Sequence, residues 1–105
     1  MASPIVRAFP PTKFNMAGTT FAEGTISVGT SATLIPLGGV TQPHWAYFAN
    51  RDGANYVTLF NGATGAVFAR LYAGEAAYVP LDPGCVPYAQ ANGAPCSLEY
   101  LVISL

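Results

Sequence analysis

HWAYFANRDGANYVTLFNG, residues 44–62, decides the fold class. Two runs of aromatic and β-branched residues, 44–50 and 55–60, flank an Asp52-Gly53 turn signal, and that pattern predicts a β-hairpin. Within the first run apolar side chains occupy both parities, with Trp45 and Tyr47 on one and Ala46 and Phe48 on the other. A strand with one wet face alternates between apolar and polar residues, so this strand needs cover on two sides. The closing run CSLEYLVISL, residues 96–105, repeats the feature. Leu98, Tyr100 and Val102 fall on one parity, and Leu101, Ile103 and Leu105 join Glu99 on the other. In a two-sheet sandwich one row faces the opposite sheet, and an apolar row on the outer side calls for a partner outside the domain.

Outward from that stretch, turn residues punctuate the chain every eight to twelve positions. Gly18, Gly24, Gly29, Gly38-Gly39, Asn61-Gly62, Gly65, Gly74, Pro83-Gly84 and Asn92-Gly93 mark the breaks. Between them, strands are expected over residues 13–21, 24–28, 31–37, 44–50, 55–60, 66–71, 76–80, 85–91 and 96–104. The one segment with any helical length, 65–77, contains Gly74 and alternates in β-branched and aromatic residues, so no helix is predicted. The expected architecture is all-β: a compact antiparallel β-sandwich, jelly-roll-like, of eight to nine short strands over residues 13–105. Residues 1–12, with Pro4 and Pro10 followed by Pro11, read as a proline-rich extended arm, because proline cannot donate to a strand ladder.

Composition sharpens the question of cover. Charged residues make up 9% of the 105, against about 25% in ordinary soluble domains. Hydrophobic residues make up 51%. Four cations and five carboxylates would have to serve a folded surface of roughly 5,600 Å² by mass scaling. Contacts between protomers are the simplest cover for what remains apolar. Arg7, Lys13, Arg51 and Arg70 are scattered and the formal net charge is −1, which argues against a nucleic-acid partner. No run of about 18 apolar residues occurs, so no membrane helix is expected, and MASPIVRAFPP lacks the pattern of a signal peptide. Synthesis as a soluble cytosolic chain is the expectation.

Chemistry-bearing residues are few. His44 is the single histidine, and with Cys85 and Cys96 distant in sequence no metal-ligand spacing is present, so no metal or cofactor is expected. Neither a GxSxG elbow nor a GxxxxGK[ST] phosphate loop occurs, and Asp52 and Asp82 sit in turn signals, so the chain does not read as an enzyme. Two cysteines in a cytosolic chain are expected as free thiols. A tight turn at Asn92-Gly93 would pair the flanking runs, setting Cys96 opposite Ala89 and Cys85 opposite Tyr100, which also keeps the sulfurs apart. Aromatic residues at strand parity fit core or interface anchors better than platforms for sugars. Arg51, Asp52, Arg70 and Glu75 either solvate loops or set register against a neighbour.

The second half of the chain carries a recurring set of motifs: Asn50 to Asp52, Asn55 to Val57, Phe68 to Glu75, Tyr88 to Asn92 and Leu98 to Leu101. Over about 60 residues this set resembles small structural proteins encoded among the virion genes of tailed bacteriophages. The resemblance implies a β-sandwich of the particle itself, a decoration or cement protein seated on the lattice of the major capsid protein and commonly trimeric. It places the chain on the virion surface after synthesis in the host cytoplasm, and it brings no catalytic residue. Tail or baseplate placement stays open, as does a carbohydrate-binding module for host attachment. On the decoration reading the candidate contact residues are Phe9, Phe14, Trp45, Tyr47, Arg51 and Tyr72.

Overall fold

The computed structural model describes residues 20–104. The expected arm 1–12, with Phe9, and the start of the first expected strand, with Phe14, lie outside the described residues. Eight strands follow in order: β1 Phe21–Val28, β2 Thr33–Leu34, β3 Pro43–Asn50, β4 Val57–Asn61, β5 Val67–Leu71, β6 Ala76–Pro80, β7 Pro87–Ala91 and β8 Cys96–Ser104. No helix occurs among the described residues. The strands form two antiparallel four-stranded sheets, ordered β1-β8-β3-β6 and β2-β7-β4-β5.

That order has a simple logic. β4 pairs with β5, β3 with β6, β2 with β7 and β1 with β8, as though one long hairpin had been rolled so that successive strand pairs fall in alternate sheets. The pairs β3-β8 and β4-β7 close each sheet. This is the winding of a double-sheet jelly roll. The inner faces supply the core: Val28, Phe48, Leu98 and Val102 from the first sheet meet Val57, Leu59 and Ala89 from the second, all without measurable exposure.

Several expectations are corrected. The runs 44–50 and 55–60 are not a hairpin: β3 lies in the first sheet and β4 in the second, so residues 51–56 form an arch between sheets. The pairing partners of β3 are β6 and β8 instead. The break expected at Gly24 is absent, because β1 runs through it. Gly24 sits opposite Tyr100, and a Cβ there would come within 3.3 Å of the Tyr100 hydroxyl. A buried aromatic ring thus covers the hole that glycine leaves, which keeps the strand continuous. The expected strand 31–37 shrinks to two residues, and the strand expected from 85 begins at Pro87 because Cys85 donates its N–H to the Asp82 carbonyl in a turn.

The register assumed around Asn92-Gly93 also fails. β7 and β8 belong to different sheets, and Cys96 lies opposite Val28 while Cys85 lies in the loop before β7. Both thiols are free and buried. Burial pushes each above the ordinary thiol value, with Asp82 adding to the effect at Cys85 and Asp52 at Cys96.

Candidate functional site

The arch between the sheets accounts for most of the polar motif residues. Asn50, 1% exposed, is the one buried polar residue of the core among the described residues. Its Nδ2 donates to the carbonyls of Asn55 (2.8 Å) and Leu71 (3.0 Å), and its Oδ1 accepts from the Asp52 N–H (2.9 Å). Asp52 Oδ2 then accepts from the N–H groups of Ala54 and Asn55. Those two bonds, Asn55 first, hold the Asp52 carboxyl below the usual carboxylate value. Asn92 Oδ1 accepts from the Tyr56 N–H at the far end of the arch.

Glu75 locks the turn between β5 and β6 in the same manner: its carboxylate accepts from the Tyr72 N–H, and Gly74 supplies a φ of 78°. An L side chain rarely adopts that angle. The Asn-x-Asp and Ala-Gly-Glu motifs are therefore turn locks: each short polar side chain satisfies backbone groups that a turn or a sheet-to-sheet crossing leaves without ladder partners. Asp82 does likewise for the Gly84 N–H. Among the described residues no cluster of three or more His, Cys, Asp or Glu is placed to hold a metal ion.

The outer face of the first sheet is built differently. Strand register aligns three cross-strand rows on it: Phe21, Ile103, Trp45 and Pro80; then Glu23, Leu101, Tyr47 and Tyr78; then Thr25, Glu99, Ala49 and Ala76. Two of the three rows are largely apolar. Tyr47 and Tyr78 pack with ring centroids 5.0 Å apart, and Phe21 and Tyr78 are 48% and 57% exposed. A groove of about 660 Å³ runs beside the two tyrosines, lined by Glu23, Thr25, Glu99 and Leu101 among others. Arg51 reaches in from the arch to pair with Glu99 at 2.6 Å, and this raises its already high pKa. Both partners are substantially exposed, so the pair positions more than it stabilises.

The outer face of the second sheet carries a smaller groove of about 420 Å³, lined by Tyr56, Thr58, Thr64, Gln90 and Asn92 among others. The Arg70 guanidinium lies 4.5 Å from the centroid of Tyr56, and Tyr72 packs against the same ring at 5.5 Å.

The structure thus brings together three of the six candidate contact residues. Trp45 and Tyr47 stand in adjacent rows of one face, and Arg51 touches its edge through Glu99. Tyr72, 54% exposed, follows β5 of the other sheet and packs against Tyr56, so it does not belong to that face. Phe9 and Phe14 lie outside the described residues. Phe21, Glu23, Tyr78, Leu101 and Ile103 were not among the candidates. The signal that finds Leu101 and Ile103 is the second apolar parity of residues 96–105; Tyr78 joins them only through register with Tyr47. Comparison with protein-family models, with characterised proteins and with solved structures finds no match for the chain.

Proposed function

We propose that this chain is a structural protein of a tailed-phage particle, a capsid decoration subunit that works by adhesion and not by catalysis. The observation that supports this reading is the outer face of the first sheet, where Phe21, Trp45, Tyr47, Tyr78 and Leu101 lie side by side in cross-strand rows around the buried Ile103. Ordinary solvated sheet faces are polar on the outer parity, and a surface of this kind marks a contact with protein. The carboxylates fit the same reading, since those of Asp52, Glu75 and Asp82 are spent on turns and that of Glu99 on an ion pair. The motif resemblance supplies the particle as the setting.

On this reading each protomer buries the apolar face against sister protomers, as a trimer, and against the major capsid protein, so that neighbouring capsomers are tied together. An interface of standard size buries about 800 Å² on each partner. Repeated over a closed lattice, such contacts reinforce through avidity without high affinity at any one site.

The jelly roll serves capsid proteins and lectins alike, so fold alone does not choose between them. The groove on the second sheet, with Thr58, Gln90 and Asn92, is the feature that would favour a sugar ligand. A stacking platform needs a bare ring face, however, and one face of Tyr56 is taken by Arg70. Assembly is the stronger reading.

The test is copy number. Quantitative mass spectrometry of purified particles should find the protein in stoichiometric proportion to the major capsid protein. A few copies per particle would move it to the tail or baseplate, and absence from particles would end the reading.

A further inference from the structure

The charges leave a remainder that points to one occupant for the groove on the first sheet. Glu99, Asp52, Glu75 and Asp82 all have partners, whereas Glu23 has none among the described residues and lines the groove beside Tyr47 and Tyr78. Of the four cations, Arg51 is paired with Glu99 and Arg70 lies over Tyr56. The other two, Arg7 and Lys13, belong to the stretch PIVRAFPPTKF, residues 4–14, which also carries Phe9, Phe14 and three prolines.

We propose that the Glu23-Tyr47-Tyr78 groove is the seat of residues 4–14 from a second copy of this chain. The proposal rests on the assembly reading above and names the contact that makes the assembly. Proline-bearing segments dock into aromatic grooves because their fixed φ lowers the entropy lost on ordering and their rings pack on tyrosine faces. A carboxylate beside such a groove selects a cation in the segment and fixes its direction, while the same cation gains from the aromatic faces.

The exit of β1 argues for a second copy over the same chain. From Glu23 the strand runs back to Phe21 and Thr20, whose carbonyl accepts from the Ser104 N–H, so its described end points away from the groove. A neighbour's segment reaches the groove without following that direction. At about 3.1 Å per residue, eleven extended residues reach about 34 Å, ample for a four-stranded face roughly 15 Å wide. Each protomer giving one segment and receiving another makes a head-to-tail contact, which closes into a ring where the rotation allows.

Charge exchange in the full-length protein tests this directly. One variant carries Glu23→Lys and a second carries Arg7→Glu with Lys13→Glu. Each alone places like charges at the contact, and sedimentation equilibrium should show self-association weakened at least about tenfold. An equimolar mixture creates opposite charges only between different chains, at two of the three contacts of a mixed trimer, and association should recover at least about threefold over either variant alone. Glu23 is exposed, so circular dichroism and urea midpoints should match the unaltered chain. Failure of the mixture to recover would place the segment on its own chain and overturn the exchange. Variants that associate as well as the unaltered protein would remove the groove from the contact and leave the assembly reading standing. An unaltered chain that stays monomeric and binds no particle would remove both.

Discussion

The arch over residues 51–56 and the groove beside Tyr47 and Tyr78 lie close enough to share the Arg51-Glu99 pair, yet they spend polar residues in opposite ways. In the arch, Asn50 and Asp52 satisfy backbone groups within the domain. In the groove, Glu23 has no partner among the described residues and the tyrosines face outward. A polar motif that is conspicuous in sequence can be wholly structural, while the surface proposed as the contact is made of residues that look ordinary one at a time. The distinction follows from desolvation: a buried amide must find its hydrogen bonds inside the fold, whereas an exposed carboxylate keeps water until something replaces it.

The comparison breaks most visibly at Asn50. Replacing Asn50 with Ala leaves the Leu71 and Asn55 carbonyls without that donor and the Asp52 N–H without its acceptor, and stability should fall by about 2–4 kcal/mol in urea denaturation. A loss under about 0.5 kcal/mol would mean the arch is not locked from within. Acid probes the same region next. The Asp52 carboxyl has its pKa lowered on folding, so its contribution is present above the ordinary value of 3.8 and disappears as pH falls through the folded value. Asp52→Asn should flatten that acid limb of the stability profile.

On the groove side, Tyr78→Ala should cost less than about 1 kcal/mol of folding stability, the scale of one exposed aromatic pair. Its larger effect should appear in self-association or particle binding; a variant that fails to fold would instead assign the ring to the domain's own support. The buried thiols should be slow to react with a disulfide reagent at neutral pH, because Cys85 and Cys96 ionise only above the ordinary 9.0. Their contribution to stability is full below that value and fades as pH rises through the folded pKa. Arg51→Gln should be the quietest change, with no measurable shift in the urea midpoint, since both members of the pair are exposed.

Much of the fold was legible. The expected runs 44–50, 76–80 and 96–104 coincide with β3, β6 and β8 to within a residue. Turn residues and β-branched runs act locally, so their positions survive into the structure. Gly24 misled because its rescuer, Tyr100, is 76 residues away and reaches it only through strand pairing. Asp52-Gly53 misled in a different way: a tight hairpin and an arch between sheets draw on the same turn residues. Of the candidate site, Trp45 and Tyr47 were visible as the second apolar parity of one strand. Tyr78 and Glu23 were not, because each stands in a strand that shows nothing unusual until it is laid beside Tyr47 and Leu101.

Local chemistry in the chain determined the all-β class, the places where strands stop, the shortage of charge and the two strands that are apolar on both parities. Tertiary structure alone decided that β3 lies between β6 and β8, that Trp45 and Tyr47 face outward with Phe48 inward, and that the Glu23 carboxylate borders their surface. Side-chain alternation fixes which residues share a face, but the choice between the two faces belongs to the opposite sheet, whose Val57, Leu59 and Ala89 come from distant regions of the sequence.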